Sequence, residues 1–265
     1  MNTVRVSDSG VAAILQLARP DSSNALDHEL IGDLTRAVVE APGRGVRAIV
    51  LTGEGRHFCA GADLRSLLAG AEASLAARTA EARHLAALYA AILRCPLLTV
   101  AAVRGAAYGG GAGLAAACDL VIASPDARLM FSEVRLGFVP ALISVFLPRR
   151  VAVSRLLDLF LDPRPLSGEE ARAVGLVDEV CDDPLAAALT RAAAVAAKAA
   201  PGAVAATKRL NLELALPHLD QQLAYAAAVN AEQRGTPECQ QGVRFFLARQ
   251  HPPDWSGGET GQSTG

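Results

Sequence analysis

Three consecutive glycines, an alanine and a fourth glycine stand at the front of YGGGAGLAAACDLVIA (108–123), ahead of a run of alanines. Each glycine inside a helix costs about 1 kcal/mol relative to alanine. A cluster of them at a helix start therefore marks a place where bare backbone must approach something closely. The flanking segments narrow the folds that can supply such a place. VAAILQLARP (11–20), RAIVLTGEG (47–55), LLTVAAVRG (97–105), CDLVIAS (118–124) and ARLMFSE (127–133) are short apolar runs, as buried strands are. Between the first two, NALDHELIGDLTRAVVEA (24–41) sets Leu26, Leu30, Leu34, Ala37 and Val38 at helical spacing. This order predicts a layered α/β architecture with parallel strands.

The second half changes character. From about Ser154 the periodicity is helical, and 184–216 is very rich in alanine, broken by Pro201 and Gly202. Such helices have narrow faces suited to close packing, including packing between subunits. Only 175–180 reads as a late strand, and the polar tail from Pro252 is expected to fray. No linker separates two independent domains.

A chain of 265 residues that is 51% hydrophobic can bury a substantial core. A net charge of -2 offers no bulk-charge route to nucleic acid or a membrane surface. Five cysteines, an odd number with no C-x-x-C pair, fit reduced thiols rather than disulfides or a zinc site. The start MNTVRVSDSG has neither a basic region nor an apolar core, and no apolar stretch is long enough to span a bilayer. The expectation is a soluble cytoplasmic protein.

Three explanations of the glycines compete. Gly111, Gly113 and Ala116 match the dinucleotide fingerprint G-x-G-x-x-A, with Asp126 as a ribose-binding acid. Against it, the preceding strand ends near Gly105, and no second β-α-β unit carries the acid. A phosphate loop is excluded because no Gly-Lys-Ser/Thr follows. Packing of a helix flat on a sheet is the second explanation. The third is an anion site: free N–H groups at a helix N-terminus stabilise charge developing on a carbonyl oxygen. One donor is seldom enough, and GEGRHFCAGADLRSL (53–67) offers another glycine-bearing loop before a helix starting near Ala62 and Asp63, with Asp63 placed to cap it.

HFCAGADL (57–64), VRGAAYGGGAGLAAACDLVIAS (103–124) and FSEVRLGFVP (131–140), in this order, resemble the crotonase, or enoyl-CoA hydratase/isomerase, family. The likeness runs over roughly 10–180, and QGVRFFLARQHPPDW (241–255) looks like that family's C-terminal end. The resemblance implies an α/β crotonase-like spiral of β-β-α repeats over 1–195. A C-terminal helical region over 196–253 would form a homotrimer or a dimer of trimers, ahead of a flexible tail at 254–265. The implied substrate is an acyl-CoA thioester, with no cofactor beyond the CoA that it carries. Ala62 and Gly110 would supply the two oxyanion amides. Ala60, Gly61, Asp63 and Leu64 would line the CoA moiety, Arg65 would lie near its adenine or phosphates, and Ser23 and Asn24 would edge the same groove.

The chain departs from the family pattern at one point. Typical hydratases of this family carry two catalytic glutamates; the first position, three residues beyond the second oxyanion amide, is Gly113 here, and the second is present as Glu133. One carboxylate suffices to shift a double bond, because the same base can remove a proton and return it elsewhere. A hydratase must also orient water, which Glu133 would do with help from backbone or from the Ser132 and Ser144 hydroxyls. RLGFVPALISVFLPRRV (135–151) resembles members that hydrate methylglutaconyl-type, branched or carboxylated enoyl-CoAs, which favours a hydro-lyase. An isomerase using Glu133 alone and a non-catalytic acyl-CoA-binding protein are the alternatives. Arg135 and Arg149 are candidate partners for a substrate carboxylate.

Taken outside the motif, Glu133 would be a surface acid paired with Arg128 or Arg135. His57 and Cys59 lack a third, orienting group and are assigned to a loop polar group and a buried thiol. Tyr108 fits the acyl pocket or the core equally, while Cys118 and Asp119 are assigned to the fold.

Overall fold

The structure, a computed structural model, describes residues 3–70 and 72–256. Among these residues the strands are β1 (Val4–Ser9), β2 (Ala12–Leu17), β3 (Ala48–Gly53), β4 (Leu98–Val103), β5 (Ala106–Tyr108), β6 (Leu120–Ala123), β7 (Arg128–Met130), β8 (Leu166–Ser167) and β9 (Glu179–Val180). The helices are α1 (His28–Glu40), α2 (Leu64–Ala69), α3 (Leu75–Arg94), α4 (Gly110–Ala117), α5 (Ala141–Phe146), α6 (Val153–Leu161), α7 (Gly168–Ala173), α8 (Pro184–Lys198), α9 (Pro201–Ala215), α10 (Leu219–Arg234) and α11 (Pro237–Arg249). None of them is long and apolar enough to cross a membrane.

One sheet has the order β1-β2-β3-β4-β6-β9, parallel throughout except for β1 against β2; a smaller sheet has the order β5-β7-β8. The large sheet is covered on both faces, which is why β3 and β4 read as unbroken apolar runs rather than alternating ones. Ala48, Val50, Leu98, Val100 and Ala102 face α8, whose Ala188 and Ala192 let that helix lie close. Ile49, Leu51, Ala101 and Val103 point into the main core, which they share with α1, α3 and α4. α10 packs on α3 and α5 and adds Leu219, Leu223, Ala226 and Ala227 to that core. α11 lies over α2 through Leu67, Cys239 and Val243. The C-terminal helices are thus walls of the same body, and the boundary expected at 195 falls inside α8.

Several expectations shift. The helix expected over 24–41 begins at His28, where the Asp27 carboxylate accepts the Leu30 N–H at 2.9 Å; Leu26 stays outside and forms a bridge with Ala62. β1, β5 and β8 were not anticipated. β1 is an edge strand with polar residues on its exposed side, whereas β5 and β8 are too short to carry a period. The late strand shrinks to Glu179 and Val180. In the tail, the Trp255 indole N–H donates to the Arg135 carbonyl at 3.1 Å, and 257–265 lie outside the described residues.

Candidate active site

The loop over 57–63 is held from both sides. Cys59 bridges to Ala107, donating its N–H to the Ala106 carbonyl and accepting from Tyr108 N–H. On the other side Leu26 donates to the Gly61 carbonyl, and Asp63 donates to that of Leu26. Those bonds use the Gly61 carbonyl and the Asp63 amide, and leave the N–H of Ala62 unpaired among the described residues. In the second loop the Gly109 N–H goes to the Met130 carbonyl at 2.8 Å, and the next amide, Gly110 at the head of α4, has no partner among the described residues. It is one of the free donors that every helix N-terminus presents.

The glycines bring these two amides together. Gly61 has φ +92°, and a Cβ built there would lie 2.6 Å from the Tyr108 carbonyl oxygen and 3.5 Å from the Gly110 nitrogen. A Cβ on Gly111 would lie 2.2 Å from the Cys59 carbonyl oxygen. Real side chains never approach backbone so closely, so the stacked loops require glycine at both positions. The gap from Gly105 to Gly111 is filled by β5, which makes a tight strand-to-helix turn after all. The dinucleotide explanation fails for a different reason: protein, not cofactor, occupies the space beside Gly111 and Gly113.

Both amides open onto a cavity of about 490 Å³. Its apolar walls include Leu26, Leu85, Phe138, Leu142, Ile143 and, from α11, Val243. Glu133 also faces it, from the single 3-10 turn Glu133–Leu136 after β7. Its carboxyl is buried, and Oε2 has no hydrogen-bond partner among the described residues. Burial pushes its pKa up to about 7. Neither candidate cation pairs with it, since Arg128 donates to the Ala127 carbonyl and Arg135 contacts the Met130 sulfur at 3.8 Å. A Cβ on Gly109 would lie 3.1 Å from Glu133 Oε1, so the carboxyl rests against the turn that carries the Gly110 amide. An unpaired buried acid beside unpaired donors weakens the fold and is a mark of a reacting site.

No carboxylate fits at Gly113. A Cβ there would sit 2.8 Å from the Tyr89 hydroxyl and 2.9 Å from Ile143 Cγ1. Tyr89, on α3, is wholly buried, lines the cavity and donates its hydroxyl proton to the Gly110 carbonyl at 3.1 Å. Nothing in the sequence singled it out beyond its place on the apolar face of a helix, where a buried tyrosine must find a polar partner.

The other expected residues divide. Ala60, Gly61, Asp63, Leu64 and Arg65 line the cavity, with Arg65 exposed at its edge. Asp63 caps α2 through the Arg65 and Ser66 amides and pairs with Arg19. Ser23 and Asn24 do not line the cavity; Asp21, Ser22 and Ala25 do. Asn24 is buried at φ +55° and fully used, accepting from Arg19 N–H and donating to the Glu54 and His57 carbonyls. It clips the loops together. Ser144 is exposed and donates to the Pro140 carbonyl, and Arg149 is exposed and lies outside the lining, so neither meets the expectation placed on it. Arg135, Ser132 and Tyr108 are cavity residues. His57 Nδ1 accepts the Ala106 N–H at 3.1 Å, while burial pushes the Cys59 thiol up to about 12. Cys118 is buried against the Leu114 carbonyl, and Asp119 ties Thr99 to Lys208.

Comparison with known proteins shows the family. The family model for enoyl-CoA hydratase/isomerase matches residues 7–258. A Thermus thermophilus protein bearing an enoyl-CoA hydratase name is 39% identical over 249 residues, covering 92% of this chain and 98% of its own. A "Probable enoyl-CoA hydratase" of Rhodobacter capsulatus is 37% identical over 259 residues, covering 97% of this chain and 98% of its own. The crystal structure of an enoyl-CoA hydratase/isomerase from Mycobacterium paratuberculosis superposes with a TM-score of 0.83 at 30% identity, covering 92% of this chain and 98% of that one.

Proposed function

Because the chain belongs to the enoyl-CoA hydratase/isomerase family, we propose that it adds water to, or removes it from, the double bond of an enoyl-CoA without a further cofactor. The observation that carries this proposal is the buried, unpaired Glu133 carboxyl beside the free amides of Ala62 and Gly110. In hydration, Glu133 takes a proton from water as the water oxygen bonds to C3 of the conjugated thioester. The electron pair of the double bond moves to the thioester oxygen, where the two amides hold the developing charge. Collapse of that enolate takes the proton from Glu133 onto C2, so the carboxylate is regenerated and one water has been added. The segment over 60–64 lines the CoA moiety, with Arg65 near its adenine or phosphates. The hydratase names of the relatives support this direction. The absent acid at Gly113 favours a second reading, isomerisation, in which Glu133 removes a C2 proton from a 3-enoyl-CoA and returns it at C4.

Pure protein offered crotonyl-CoA, 3-methylglutaconyl-CoA and a 3-enoyl-CoA distinguishes these readings by product mass. A gain of one water is the expected result. An unchanged mass with a displaced double bond assigns the isomerase, and no turnover of any of the three assigns a non-catalytic binder.

Self-association belongs to the same proposal. Val153, Leu157 and Leu161 form one stripe along α6 and are 71%, 66% and 67% exposed. An apolar stripe at i, i+4 and i+8 suits a helix covered by another copy. Light scattering is expected to report a trimer or hexamer, and Leu157→Asp to shift it toward smaller species. Unchanged mass in the variant assigns the contact to another surface.

A further inference from the structure

We infer that Tyr89 is the second group that holds the attacking water, standing where the chain lacks an acid at Gly113. The inference rests on the hydratase reading. Water that attacks C3 must aim a lone pair at carbon, and two hydrogen bonds donated to two acceptors are the simplest way to fix that direction. Glu133 is one acceptor. The hydroxyl oxygen of Tyr89 is the other, because its proton is already given to the Gly110 carbonyl and its lone pairs remain free.

The geometry brings the two acceptors to one place. A Cβ on Gly109 would lie 3.1 Å from Glu133 Oε1, and a Cβ on the adjacent Gly110 would lie 3.3 Å from the Tyr89 hydroxyl. Both groups line the same cavity, next to the turn carrying the oxyanion amide. The hydroxyl also lies 2.8 Å from where a Gly113 Cβ would be, so it stands against the position that lacks the acid. Burial and the nearby Glu133 hold the phenol protonated, and so it cannot act as a second base. Tyr89 is therefore a positioning residue. Ser144 is exposed and committed to the Pro140 carbonyl.

The test is Tyr89→Phe, which keeps the ring and removes only the hydroxyl. Three quantities are read on the purified protein: hydration of crotonyl-CoA, exchange of the C2 protons of butyryl-CoA with deuterated solvent, and the KM for crotonyl-CoA. Proton exchange needs Glu133 and the oxyanion amides but no attacking water. Loss of one hydrogen bond to the water is expected to lower hydration kcat by about tenfold to a hundredfold. Exchange and KM should stay within a factor of about three, by the same account. If hydration and exchange fall together, Tyr89 only shapes the Gly110 peptide, and the inference is overturned. Unchanged hydration, or a loss seen with Ser132→Ala but not with Tyr89→Phe, also overturns it while leaving the hydratase reading intact. Wild-type protein that shifts double bonds without adding water removes both.

Discussion

Replacing Glu133 by glutamine is expected to lower enoyl-CoA turnover by about 10²- to 10⁴-fold, the range for losing a positioned acid–base group. The same change is expected to stabilise the protein above neutral pH. The Glu133 carboxyl ionises at about 7 in the fold against an ordinary value of 4.5. The folded state therefore binds that proton more tightly than the unfolded chain does. Between the two values the folded chain holds the extra proton, so stability falls as pH rises through this window. Above about 7 the deficit levels off at about 3 kcal/mol. Glutamine carries no charge to desolvate, so unfolding at pH 8.5 should show a gain that is absent at pH 4. The wild-type kcat/KM should rise with pH to a plateau above about 7, as the carboxylate forms. Equal turnover by the variant, or equal stabilisation at both pH values, would show that this carboxyl is not the base described.

Gly61→Ala is expected to lower kcat by about 10²- to 10³-fold, comparable to deleting an oxyanion donor. A Cβ at φ +92° meets the Tyr108 carbonyl oxygen at 2.6 Å, and that atom is backbone, which does not swing aside. The loop must shift, and the Ala62 amide shifts with it. Because those amides act on charge present only in the transition state, kcat should fall while KM stays near its wild-type value. Strain at this position should also destabilise the fold by about 1–3 kcal/mol. Gly43→Ala is the matched control, since a Cβ there meets no atom within 4 Å. A Gly61→Ala variant as active as Gly43→Ala would remove Ala62 from the oxyanion assignment.

Much of the fold was legible because local chemistry and tertiary need coincide. β3 and β4 announced themselves as apolar runs since both faces of the sheet are covered, and α1 did so because Leu30, Leu34 and Val38 face one core. The family motifs pointed to Ala62, Gly110 and Glu133, and all three line one cavity. Two glycine-bearing loops ahead of two helices leave few other uses for bare backbone.

What stayed hidden in the sequence depends on contacts between segments far apart in the chain. Asn24 was expected at a groove edge, but its amide is drawn inward by Arg19, Glu54 and His57, whose placement no local pattern records. Burial, and with it the raised pKa of Glu133, is a property of everything packed around the carboxyl, including α10 and α11 more than eighty residues downstream. Tyr89 lies on the apolar face of α3 and reaches the Gly110 carbonyl only because the core sets α3 against α4. The order of residues alone determined which backbone had to be bare and which carboxyl was available. The packing of distant helices decided that this carboxyl has no counter-ion among the described residues, and that a tyrosine hydroxyl stands against Gly113.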